Sequence, residues 1–298
     1  MLTRAFTFVF VVCLSSVAAI AQTGYPMLMS VKPVAAQTGQ TSEVAVSSRY
    51  SMYGAYKVWV SGSGVRAEVV PHAVKEGEKI PSLTNLKLKF IVDKDALPGV
   101  RDYRIATPNG ASTTGQIVIV SDPVRTEKEG NNSLETATEI ELPATICGGI
   151  ETNEDVDLFK FKITEPTSLS FHVRSMRLQD RLHDFQRHVD PIITVKNSSG
   201  STLAANDNYF FGDPYLTYKF DRPGEYYLEV RDVRYHGNQY WQYSIEVSNR
   251  PFITNMHPMG IAKGQSSQLE LVGANIPESP FIEFAAAADL AESTRWLQ

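Results

Sequence analysis

The chain has 298 residues, of which 43% are hydrophobic and 20% charged, and its formal net charge is −5. That length allows two or three domains, and that composition describes a folded globular protein, which excludes a disordered tail. The acid excess offers no basic face, so no nucleic acid partner is expected.

Residues 1–21 read as a signal peptide. Arg4 supplies the positive start, residues 5–14 an apolar run, and Ala19-Ile20-Ala21 the small residues of a cleavage site before Gln22. The run is short for a bilayer span, and the cleavage site argues against its alternative, an uncleaved anchor. The reading predicts a secreted chain (extracellular, cell surface or periplasmic) with no membrane span after cleavage. Cys13 lacks the small residue before it that a lipid-attachment site would show, and it leaves with the peptide. Cys147 is then the one cysteine of the mature chain, so no internal disulfide is expected. Between Ile146 and Gly148 it reads as a small buried hydrophobe, in preference to a catalytic thiol.

Residues 22–123 form the first expected domain. Leu86, Leu88 and Phe90 share one face of a strand while Lys87 and Lys89 face water. A turn at 97–100, a strand at 103–106, a tight turn at Pro108-Asn109-Gly110 and a closing strand at 116–120 follow. Short strands broken by Pro and Gly predict an immunoglobulin-like sandwich. With its opening proline strand, the Gly39-Gln40 turn and the Thr107-Pro108-Asn109-Gly110 end, the segment resembles the IPT/TIG-type immunoglobulin-like domains of bacterial extracellular proteins.

Residues 124–249 hold the clearest alternation. Phe159, Phe161 and Ile163 face inward, as do Leu169, Phe171 and Val173. Strand 192–195 runs into a turn at 197–200. Tyr226, Leu228 and Val230 then alternate with Tyr227, Glu229 and Arg231, and Trp241, Tyr243, Ile245 and Val247 with Gln242, Ser244 and Glu246. No amphipathic helix of normal length interrupts, so a jelly-roll-like β-sandwich is expected.

Residues 250–298 echo the start of the chain. Pro26, Pro33, Gly39, Gln40 and Ser42 recur, 225 positions later, as Pro251, Pro258, Gly264, Gln265 and Ser267. This predicts a second immunoglobulin-like domain, incomplete within the 48 residues from 251 to 298, so a truncated reading frame or a natural fragment of a longer protein is expected. Its tail, from Phe284 through Trp296, reads as helix. The fold class expected of the whole is all-β.

The middle segment carries several spaced pieces: Glu127-x-Glu129-x-Asn131-Asn132; Gly148 followed by Asp155-Val156-Asp157-x-Phe159-x-Phe161; Asp190-Pro191; Ser199-Gly200-x-x-Leu203-Ala204-x-Asn206-Asp207; Pro223-Gly224-Glu225-Tyr226-Tyr227-x-x-Val230; and Tyr240 with Tyr243. In these it resembles the bacterial pre-peptidase C-terminal (PPC) domain, a β-sandwich related to the collagen-binding domains of clostridial collagenases. The resemblance implies a non-catalytic domain appended to secreted proteins. Carried over by motif, it implies a structural calcium site at Glu127, Glu129, Asn131, Asn132, Asp155 and Asp157, with Asn153 or Glu154 as substitutes for Asp155. Asn132 stands where related domains often carry an aspartate. A hard cation wants six to eight such oxygens, yet the same residues serve equally as solvated linker acids. The stretch 174–188 is longer, more basic and richer in histidine than the family pattern.

Other chemistry is thin. Asn206, Asp207, Asn208 and Asp213 read as turn residues in preference to a second ion site. His183 and His188 with Asp184 and Asp190 lack the spacing of a zinc helix and read as a basic loop. No nucleophile elbow, Cys/His pairing or phosphate loop is present, so no enzyme activity and no organic cofactor are expected; a catalytic centre would need a polar pocket invisible to sequence. Exposed aromatics are the remaining lead, with Tyr215, Tyr227 and Tyr235 as ligand-binding candidates, and Tyr50, Tyr53, Tyr56 and Trp59 a more ambiguous strip. The expected function is a secreted non-catalytic binding or spacer module of an extracellular multi-domain protein, its partner a protein or polysaccharide. The alternative is an accessory region of a secreted peptidase or other hydrolase whose catalytic domain is missing from this chain.

Overall fold

The computed structural model describes residues 24–72, 82–179 and 187–286. Among them the chain is all-β, built as sandwiches. The first is formed by β1 (Leu28–Lys32), β2 (Ala35–Gln37), β3 (Thr41–Ser48), β4 (Lys57–Val60), β5 (Val65–Val69), β6 (Asn85–Val92), β7 (Gly99–Thr107), β8 (Gly110–Ala111) and β9 (Gly115–Val120). Two four-stranded sheets, β1-β3-β6-β5 and β2-β9-β7-β4, face each other, and β8 hairpins onto β7. Alternation decides the packing: Leu86, Leu88 and Phe90 are buried between the sheets while Lys87 and Lys89 lie outside. The Phe90 ring meets Tyr103 edge-on at 5.5 Å.

The middle sandwich follows with β10 (Val124–Thr126), β11 (Thr138–Glu139), β12 (Ala144–Gly149), β13 (Val156–Ile163), β14 (Thr167–Arg174), the short helix α1 (Met176–Gln179), β15 (Pro191–Asn197), β16 (Thr202–Asn206), β17 (Tyr215–Phe220), β18 (Gly224–Asp232) and β19 (Gln242–Ser248). Counted from β12 to β19, its eight strands fall into sheets ordered 1-8-3-6 and 2-7-4-5. That is the jelly-roll order. The short β10 and β11 extend the two sheets in parallel, beside β12 and β13. Phe159, Phe161, Phe171, Phe220 and Tyr243 fill the core. Their rings meet edge-on, Phe161 with Phe220 at 5.8 Å and Phe159 with Tyr243 at 6.5 Å, as aromatic quadrupoles prefer.

Alternation misses what covers an outer face. Gln242 and Ser244, read as solvent-facing, are buried. Gln242 meets the first sandwich: its Oε1 accepts from Val31 N at 2.8 Å and its Nε2 donates to Val31 O at 2.6 Å. The side-chain amide thus satisfies a backbone pair of β1 as a neighbouring strand would. Lys32 pairs with Glu151 beside it, and Arg250 with Asp122. Cys147 packs into the first sandwich's core, and burial pushes its thiol up to about 12, far from a reactive thiolate.

The last sheet is β20 (Phe252–His257), β21 (Ser266–Ala274) and β22 (Phe281–Ala285). Adding 225 to the β1–β3 register gives the β20–β21 register, irregularity included: Leu28↔Ser48 becomes Ile253↔Gly273, and Val31↔Val46 becomes Met256↔Leu271. Gly39 and Gly264 take the same left-handed turn, at φ +71° and +77°. Against β21, β22 repeats β6, with Leu269↔Ile282 in place of Val44↔Leu88. One expectation is corrected here. Phe284 and Ala285 are strand, not the start of a helix, because β21 supplies a paired edge that outweighs alanine's helix preference. The rest of that stretch, 287–298, lies outside the described residues, as do residues 1–21, expected as a signal peptide, and the loop residues His183 and Asp184.

Candidate functional site: an acid cluster and two anchored loops

The oxygen-rich approach runs along the rim of the middle sandwich. Carboxylate oxygens of Glu129, Asp155 and Asp157 lie within 4.8 Å of one another. Strand β13 and the turn before it position the two aspartates, and Asp155 is held by the Glu151 N–H at 2.7 Å. Asn131 is fixed through its backbone, whose carbonyl accepts from Leu158 N at 2.9 Å. Its side chain is fully buried, and neither amide atom finds a partner; Asp157 Oδ1 is likewise unmatched. Unpaired buried polar atoms cost free energy, so such a cluster favours whatever supplies the missing contacts, an ordered water or an ion.

Glu127 stands behind the trio. Its Oε1 accepts from Gly149 N at 2.7 Å and its Oε2 from the Tyr243 hydroxyl at 2.6 Å, while that hydroxyl also lies 2.8 Å from Asp157 Oδ2. One phenol proton thus serves two carboxyls. Gly148 makes room, since a Cβ there would run into Glu127 Oε2 and the Tyr243 hydroxyl. Burial, then the Glu127 and Asp155 charges, raises the Asp157 carboxyl well above its ordinary range. Burial raises Glu127 too. Glu129 is raised by burial, Asp155 and Glu151, with Lys32 opposing. Desolvated acids that repel one another are poised to take up a proton or a cation.

Of the six residues named for a metal, then, Glu129, Asp155 and Asp157 converge, with Asn131 and Glu127 beside them. Asn132 is exposed. Hard carboxylate and amide oxygens suit a calcium-like cation and offer nothing to a soft one.

The adjoining end of the sandwich carries two loops held by buried aspartates, of which sequence reasoning took Asp213 for a turn residue and did not single out Asp232. Asp213, fully buried, accepts from Ser175 N at 3.1 Å and Met176 N at 2.7 Å on one oxygen, and from Arg177 Nε at 2.7 Å on the other. This nails loop 207–214 to α1. Asp232, equally buried, accepts from Asp190 N and Arg234 N, each at 2.9 Å, and from His236 N at 3.2 Å. Burial opposes its charge, but those donors and the Arg234 guanidinium outweigh it and hold the carboxyl below the usual range.

Residues 155–232 match the protein-family model of the bacterial pre-peptidase C-terminal domain. The middle sandwich carries a domain of that family. No curated protein matches the chain. Solved structures with a likeness to it include the pre-peptidase C-terminal domain of collagenase from Bacillus anthracis, at 17% identity, covering 38% of this chain and 94% of that one, with a TM-score of 0.29. The secreted serine protease VesC from Vibrio cholerae is 8% identical over 72% of this chain and 49% of its own, at a TM-score of 0.26. The chain thus spans about half of VesC. SGBP-B of a Bacteroides ovatus mixed-linkage glucan utilization locus, solved with a mixed-linkage heptasaccharide, is 7% identical over 69% and 74%, at 0.23. Identities and scores this low say nothing of ligand.

Two of the three aromatic candidates in the pre-peptidase C-terminal domain are corrected. Tyr215 is 7% exposed, stacked on Phe252 at 4.5 Å, a contact from outside its own sheet that alternation does not foresee. Tyr227 is 8% exposed on the central strand β18, with Lys160 and Lys196 as its cross-strand neighbours; long lysine stems shelter such a ring. Tyr235 is 46% exposed, as read. In the first sandwich Tyr50, Tyr56 and Trp59 are exposed. Among the described residues no helix is long and apolar enough to cross a membrane.

Proposed function

We propose that the chain is a secreted, non-catalytic binding or spacer module of an extracellular or cell-surface protein, stabilised by a structural calcium ion. In this reading the domains divide at 22–123, 124–249 and 250–298, and the partner is an extracellular protein or polysaccharide. The observation that carries the calcium reading is the fully buried Asn131 and Asp157, with three unmatched polar atoms beside converging acids. Glu129, Asp155, Asp157 and Asn131 would hold the ion, and Glu127 would complete its charge environment. The ion would tie the approach segment, carrying Glu127 to Asn131, onto strand β13.

A second reading, an accessory region of a secreted peptidase or other hydrolase, draws support from the family to which the middle domain belongs. Both readings place no reaction in this chain. Calorimetric titration of the full chain with calcium tests the proposal. Binding of one ion, lost in Glu129→Gln with Asp155→Asn, is expected; no heat at millimolar calcium would refute it.

A further inference from the structure

Backbone strain concentrates at the loop end of the middle sandwich. Among the described residues four non-glycine residues have positive φ, and three lie there: Glu154 at 65°, Phe211 at 63° and Tyr235 at 56°. Bulky aromatics rarely adopt that region, which glycine, asparagine and aspartate favour. Two of these strained residues are also exposed aromatics, Phe211 at 83% and Tyr235 at 46%. A strained ring in water contributes little to folding. Strain of this kind gathers at ligand sites.

Loop 207–214 turns tightly, with Asp213 N donating to Phe210 O at 3.1 Å and Phe210 N to Asp213 O at 3.0 Å. Glycine follows Phe211 at the turn, yet Gly212 is needed for another reason, since a Cβ there would collide with Met176 Sδ. Phe211 is left to take the left-handed position. The second ring is a platform: Arg231 Cζ lies 4.1 Å from the Tyr235 ring centroid and covers one face. Both loops are held by buried aspartates, Asp213 and Asp232, so the rings are presented on fixed supports.

Beside Phe211 lies a wide, open depression of about 430 Å³, lined also by Asn208, Asp190, Arg187, His188 and Arg234; Tyr235 follows Arg234 in the chain and stands outside that lining. Aromatic faces beside planar groups that both donate and accept match a sugar, which offers flat C–H faces ringed by hydroxyls. The charges are of both signs, Arg187 and Arg234 against Asp190, which favours a hydroxyl-rich ligand over a strongly charged one. A peptide added as a strand would need a run of unpaired backbone groups; loops pinned by side-chain hubs are a poor template for that.

We propose that this loop end is a glycan-binding site, in which Phe211 and Tyr235 stack on sugar rings and Asn208, Asp190 and Arg187 take up their hydroxyls. It rests on the binding-module reading and gives it a ligand class.

The test is a microarray of plant, bacterial and animal glycans probed with the full chain, then calorimetry with the best-bound oligosaccharide. Phe211→Gly and Tyr235→Asn put residues at home in left-handed backbone at both positions, so neither should lower the melting temperature. Each is expected to weaken binding about tenfold or more. Tyr235→Phe, which keeps the ring, should bind nearly as the parent does. Absence of binding across the array would overturn the glycan class. Binding that survives the double variant would overturn this site and leave the binding-module reading standing, as that reading also has its own calcium test. Capture of a protein alone, lost in the double variant, would keep the surface but refute its ligand.

Discussion

The middle sandwich buries two kinds of carboxylate, and it treats them in opposite ways. Asp213 and Asp232 are ringed by backbone N–H donors and an arginine each, so burial costs them little. Asp157 and Glu127 share one phenol proton and face further acids, with Asp157 Oδ1 and the buried Asn131 amide left unmatched. The first pair is complete within the protein. In the reading proposed above, the second is completed by a hard cation, which the chemistry of its oxygens suits.

That contrast can be broken at either side. The largest effect is expected from Asp213→Ala, which orphans the backbone N–H groups of Ser175, Met176 and Arg177 and removes the Arg177 ion pair; urea unfolding should show a loss of about 3–5 kcal/mol. Calcium at a hundredfold over its dissociation constant should raise the stability of the parent chain by about 2.7 kcal/mol, seen as a higher melting temperature that chelation reverses. Asp157→Asn keeps the shape and spares the folded state the proton that Asp157 must take up from solution, so without calcium it should stabilise by about 1 kcal/mol at pH 8 while abolishing the calcium response. The smallest effect is expected at Phe211→Gly, within about 0.5 kcal/mol of the parent, because relief of left-handed strain offsets glycine's extra entropy in the unfolded chain.

The strands were legible in the sequence because one buried face leaves a period of two; Phe159, Phe161, Leu228 and Val230 lie where alternation puts them. Glu129, Asp155 and Asp157 were legible through their motif spacing, although nothing in that spacing said that Asn132 turns to solvent. Contacts between layers were hidden. Gln242 is buried by Val31, which is 211 positions away, and Tyr215 by Phe252. The hubs at Asp213 and Asp232 were hidden for a related reason: a lone aspartate before a proline or after a strand reads as turn chemistry until the N–H groups it captures are seen. Phe211 carried a misleading signal, since Gly212 beside it is the residue a left-handed turn position would be assigned to.

The two kinds of acid also differ in pH dependence. Asp232 has a carboxyl held below its ordinary value, so its contribution is present above the unfolded-state range near pH 4 and is lost on further acidification. Asp157 and Glu127 are raised, so the folded state binds more protons than the unfolded one from that range up to neutral and alkaline pH. Without a cation, stability should therefore fall as pH rises through that window. A bound cation displaces those protons and should cancel the fall.

The most direct test is one set of melting curves of the full chain at pH 5 and pH 8, each with millimolar calcium and with chelator. A melting temperature that drops from pH 5 to pH 8 in chelator, and is restored by calcium mainly at pH 8, is the predicted result. Curves that ignore calcium at both values would contradict the claim that the Asp157 cluster is built around a cation.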